Sequence, residues 1–147
     1  MRIRIIILAV FFASSLVAFT HKEETLAELI TRAESSKLDD RPRLYTEIAR
    51  RQVKAADQLY AAGKPEEARA AVRDVVEYSD KASDAATQSG KKLKDTEIAV
   101  RKMVARLRDI NRTLAFEDQA SVEEAVNHLE QVRTQLLSQM FGKKENK

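Results

Sequence analysis

Four stretches of this chain repeat apolar or small residues at alternating spacings of three and four, and that periodicity leaves little room for anything but amphipathic helices. Tyr45, Ile48, Gln52, Ala55, Leu59 and Ala62 form the first seam, and Ala68, Val72, Val75, Ser79, Ala82 and Ala86 the second. Leu93, Val100, Met103, Leu107, Ile110 and Leu114 form the third, and Val122, Ala125, Leu129, Val132, Leu136 and Met140 the fourth. Only 3 glycines and 2 prolines punctuate 147 residues, too little turn chemistry for a sandwich or barrel. The expected class is all-α, an antiparallel up-down bundle of two helical hairpins plus a short leading helix.

The punctuation places the ends. A short helix is expected over about residues 23–37, with Leu26, Leu29, Ile30 and Ala33 on one face, only loosely attached to the rest. Leu38-Asp39-Asp40-Arg41-Pro42 makes a boundary, with Asp40 placed as the cap and Pro42 in the first turn. Gly63 stops the helix that follows, and Pro65, Glu66 and Glu67 suit the start of the next. So short a turn makes the two helices antiparallel neighbours. Ser89-Gly90-Lys91-Lys92 is the next break, residues 116–120 read as a turn, and Ser121 with Glu124 reads as the capping box of the last helix.

Ahead of the helices stands a different kind of segment. Arg2 and Arg4 precede 16 uncharged residues, Ile5 to Thr20, including Ile5-Ile6-Ile7-Leu8 and Phe11-Phe12, the layout of a secretory signal. As a helix it would span about 24 Å, short of the roughly 30 Å hydrocarbon core, which favours cleavage near Ala18 to Thr20 over a retained anchor. The domain plan is therefore 1–20 signal or anchor, 21–141 helical bundle, and 142–147 a disordered polar tail. The expected location is exported, periplasmic or secreted, with membrane anchoring by an uncleaved segment as the alternative.

Export and charge narrow the chemistry. Without Arg2 and Arg4 the net charge of +3 falls to +1, so the body lacks the basic excess that nucleic acid demands. The absence of cysteine excludes disulfides, thiolate metal sites and thiol nucleophiles. Imidazole comes only from His21 and His128, in different segments; Glu124 lies one turn from His128, but the paired Glu-x-x-His of carboxylate di-metal bundles is missing. There is no glycine-flanked serine elbow and no phosphate-binding glycine loop. No catalytic residue, cofactor or metal is assigned, and an enzyme ranks last among the function classes.

What remains is surface. Lys94, Arg101, Arg108 and Arg112 fall on one helical stripe and could meet an anionic partner such as lipid headgroups or a cell-wall polymer; the alternative is ion pairing to Glu123, Glu124, Asp80 and Asp84. Tyr45, Tyr60 and Tyr78 could ring a partner groove or simply bury their rings with wet hydroxyls.

The run Leu59-Tyr60-Ala61-Ala62-Gly63-Lys64-Pro65-Glu66-Glu67-Ala68 resembles the turn of a tetratricopeptide repeat, with Ala56, Gly63 and Ala68 at its small-residue positions. The resemblance covers about residues 52–80 and implies a helical hairpin. Gln52 stands where the repeat has a large aromatic and Asp80 where it has proline, and no copy follows about 34 residues on. A second self-similarity, at a spacing of 57, matches Arg51, Glu66, Glu67, Ala68 and Val75 with Arg108, Glu123, Glu124, Ala125 and Val132 and suggests two similar hairpins.

The expected role is a noncatalytic exported helical bundle acting as a protein-interaction, scaffold or chaperone-like module. Its partners would be proteins of the cell envelope or outside the cell, with self-association and a membrane surface also open. The alternative is a small-ligand or anionic-surface binding protein, its site in the bundle or on the basic stripe.

Overall fold

A computed structural model describes residues 23–142; the signal or anchor segment, His21 and the tail from residue 143 lie outside the described residues. The described chain is all-helical: α1 (Leu26–Ser35), α2 (Arg41–Ala61), α3 (Pro65–Ser89), α4 (Leu93–Thr113) and α5 (Phe116–Phe141). No helix among the described residues is long and apolar enough to cross a membrane.

The three-four seams become the core. Ile48, Val75, Val100, Leu107, Val122, Leu129 and Leu136 are all sealed from solvent, and one continuous buried cluster draws on all five helices. Ala49, Ala56, Ala68 and Ala86 in the α2–α3 hairpin have no exposed surface. Gly63 makes its turn in the left-handed region at φ +70°, where a side chain costs about 1–2 kcal/mol, and Lys64 N donates to the Leu59 carbonyl across it at 2.9 Å. Ala62, placed on the seam by spacing, is exposed, because the helix ends before it.

Three local expectations are corrected. Asp40 does not cap α2: it sits at φ −91°, ψ −23°, already coiled into a turn with Lys37, and a capping side chain needs an extended backbone to reach the free amides. The last helix starts five residues earlier than Ser121. Residues 116–120 contain no breaker, Glu117 and Asp118 favour a first turn, and Ser121 lies inside the helix, so the Ser121/Glu124 capping box does not form. A capping box does occur at Thr25: its Oγ1 accepts from Glu28 N at 3.2 Å while Glu28 Oε2 accepts from Thr25 N at 2.8 Å.

The third correction concerns α1, which is firmly held. Leu29 and Ala33 are fully buried, Arg41 donates to the terminal carbonyls of Glu34 and Ser36, and Arg51 reaches the Glu24 carbonyl at 2.6 Å. Arginine at a helix C-terminus satisfies carbonyls that would otherwise have no partner.

The two hairpins then stack. α2 lies against α3 and α4, α5 lies against α3 and α4, and α2 and α5, diagonal to each other, meet through the Tyr60 and Ser121 side chains. Cross-links between hairpins join residues 48 or 49 apart: Arg69 to Asp118, Asp80 to His128, and Asp57 to Arg106. α2 and α4 thus run side by side in the same direction, as do α3 and α5, while α1 packs antiparallel on α2 and α3 meets α4 antiparallel across the hairpins. The self-similarity at a spacing of 57 is offset from this register by about two turns, so shared helix-start chemistry explains it better than the stacking does.

Candidate functional site

Lys94, Arg101, Arg108 and Arg112 are all exposed on α4, but three of them are engaged. Glu97, only 7% exposed, accepts from Arg133 of α5 at 2.7 Å and lies 3.8 Å from Arg101. Glu130 accepts from Arg108 at 2.9 Å and approaches Arg133 at 3.5 Å. Arg112 pairs with Asp109 one turn back at 2.9 Å. Arg101, Glu97, Arg133, Glu130 and Arg108 therefore alternate in sign across the α4–α5 seam, and the hydrogen bond from Glu97 raises the Arg133 pKa above its ordinary value. Ion pairing holds the stripe, but through Glu97, Glu130 and Asp109 rather than Glu123, Glu124, Asp80 or Asp84. Lys94 has no ion-pair partner among the described residues.

The tyrosines do not ring one groove. Tyr45 and Tyr78, each 8% exposed, pack on each other across α2 and α3 with centroids 6.1 Å apart, and Lys81 Nζ sits 4.8 Å above the Tyr78 ring. Burial raises the Tyr78 phenol above its ordinary pKa, an effect the Lys81 charge partly opposes. Tyr60 reaches away from this pair to place its hydroxyl 3.3 Å from Ser121 Oγ.

A groove of about 580 Å³ lies between the parallel α3 and α5. Val72, Val76 and Ala125 supply its apolar lining, and Arg69, Arg73, Glu77, Asp80, Glu124 and His128 its polar one. Among the α3 residues that line the groove the charges separate, Arg69 and Arg73 preceding Glu77 and Asp80, although Glu66 and Glu67 open the helix ahead of them. Arg69 is pinned by Asp118 at 2.7 Å and by Glu66, which together raise its pKa. Both carboxylate oxygens of Asp80 meet His128 Nε2, at 2.8 and 3.0 Å. Arg73 and Glu124 are exposed and make no ion pair among the described residues.

The Asp80–His128 pair is an oriented imidazole, but the nearest groove hydroxyl, Ser121, lies about 10 Å along α5 and is engaged by Tyr60 and the Asp118 carbonyl. Among the described residues no three metal-ligating side chains come together. Spacing could not reveal the groove, because its walls come from helices 48 residues apart and only the stacking of the hairpins joins them. Gly63 and Ala68 shape the hairpin end from which the groove begins, with Ala68 fully buried beside Arg69.

No protein-family model matches this chain, and neither a curated protein nor a solved structure shows significant similarity to it.

Proposed function

We propose that this chain is a noncatalytic, exported protein-interaction module, a scaffold, adaptor or chaperone-like binder, that seats a segment of a partner protein in the α3/α5 groove. The observation that carries the proposal is the make-up of that groove: an apolar lining of Val72, Val76 and Ala125 beneath Arg69 and Arg73 at one end and Glu77 and Asp80 at the other. A partner segment gains area on the lining and orientation from the charge gradient. The export half of the proposal rests on Arg2, Arg4 and the uncharged run from Ile5 to Thr20.

A photo-crosslinking amino acid at Val76, half-buried in the groove, tests this in the full chain expressed in its own cells. Envelope or secreted fractions should yield a discrete adduct that is lost on adding Arg73→Glu and is absent when the probe replaces exposed Ala105 on α4. No adduct at Val76, or one equally strong at Ala105, refutes the reading.

A further inference from the structure

On the far side of the molecule from the α3/α5 groove, α2 and α4 run parallel and leave a furrow in two sections that share Arg50. One section, of about 360 Å³, lies between the first turns of the two helices; the other, of about 240 Å³, lies farther along. Seven cationic side chains line the two sections against three carboxylates, Glu47, Asp57 and Asp95. In a body with a net charge of only +1, that is segregation of charge onto one face rather than a general excess.

The carboxylates do not neutralise it. Four of the seven cations are engaged: Arg32 pairs with Glu24 at 2.7 Å, Arg50 lies 3.9 Å from Glu47, Lys92 lies 3.5 Å from Asp95, and Arg106 pairs with Asp57. Arg43, Lys54 and Lys102 are exposed and have no ion-pair partner among the described residues. Between the cations the floor mixes nearly buried apolar residues, Pro42, Leu44, Val53 and Met103, with Thr46 and Thr96. From the level of Arg43 to that of Asp57 the furrow runs about 21 Å along α2, the length of about six extended residues.

We infer that the α2/α4 furrow docks an acidic segment of a partner protein, apolar side chains against Val53 and Met103 and carboxylates against Arg43, Lys54 and Lys102. Charge complementarity selects an anionic occupant, and the apolar lining selects a peptide over a sugar or phosphate polymer, which would leave that lining unused. The inference rests on the reading of the chain as an interaction module but uses a separate face.

The probe is a fluorescent decapeptide of alternating glutamate and leucine, compared with an all-glutamate decapeptide and with polyphosphate, against the purified full chain. The Glu/Leu peptide should bind about tenfold tighter than either control and weaken as salt rises. Combined Arg43→Glu, Lys54→Glu and Lys102→Glu should cost about tenfold in affinity, whereas Arg73→Glu in the other groove should cost nothing. If circular dichroism shows the triple reversal misfolded, Lys54→Gln with Lys102→Gln serves instead, with an expected loss of about threefold. Equal binding of polyphosphate, or unchanged binding by the charge variants, overturns the inference. So does light scattering that finds a wild-type dimer dissociated by those variants, because a second copy would then occupy the furrow. Loss of peptide binding with the Val76 adduct intact rejects the furrow alone.

Discussion

Ser79 offers a sharp test of the packing. It lies in mid-α3 with no exposed surface, between Val75 and Ala82 on the buried face, and its Oγ has no hydrogen-bond partner among the described residues. Folding thus strips the hydroxyl of water and gives nothing back, a cost of about 1–3 kcal/mol. Ser79→Ala removes that cost and adds about 0.5 kcal/mol of helix propensity. The small void left behind subtracts about 0.5 kcal/mol. The variant should therefore be more stable by about 1–3 kcal/mol, a rise in Tm of about 4–12 °C at roughly 4 °C per kcal/mol for a chain of this size. Urea denaturation should show the midpoint rising at unchanged m-value. Ser83→Ala is the internal control: Ser83 shares the helix but keeps 6% of its surface exposed and is not among the sealed, unpartnered hydroxyls, so mainly the propensity gain of about 0.5 kcal/mol applies. If Ser79→Ala is no more stable than Ser83→Ala, or falls below the wild type, the hydroxyl is satisfied in solution and the accounting is wrong.

Removing Arg133 leaves the nearly buried Glu97 with only Arg101 at 3.8 Å, so Arg133→Met should cost about 2–4 kcal/mol in urea denaturation. Arg101→Met, at an exposed pair, should stay within about 0.5 kcal/mol; similar costs for the two would mean that Glu97 is better solvated than its burial implies. In alkali, burial holds the Tyr78 phenol protonated in the fold after the unfolded chain has begun to ionise, so its folded pKa lies above its unfolded one. That contribution to stability is fully present below the ordinary tyrosine pKa of about 10 and is lost as pH rises through the folded value. Phenolate absorbance should show a late-titrating component that Tyr78→Phe removes; its persistence in that variant would assign it to another tyrosine.

The seams were legible because they depend on local repetition: every small or apolar residue assigned to the α3 seam is buried, from Ala68 to Ala86. The Gly63 turn was legible for the same reason. Helix ends were read less well where two local signals competed. Ser121 with Glu124 has the composition of a capping box, but uninterrupted helix from Phe116 brings Asp118 to Arg69 and leaves Ser121 within the helix. The box that does form, at Thr25 and Glu28, uses the same chemistry at the start of α1. The basic stripe was visible as spacing, and so in principle were Glu97 four residues before Arg101 and Asp109 three before Arg112; Glu130 faces Arg108 only because α4 and α5 fold back on each other.

By itself the sequence determined the helices and their buried faces, since period and punctuation act over a few residues and need no partner to be read. It determined, too, that a charged body follows an uncharged segment flanked by arginines. Tertiary structure decided which helices became neighbours. Placing α2 beside α4 and α3 beside α5 built both grooves, joined Asp80 to His128, and gathered the cations of a nearly neutral body onto one face. The physical reason is that a helix face says what must be buried but not against which other face, and two hairpins with similar apolar seams can stack in more than one way until specific side chains meet.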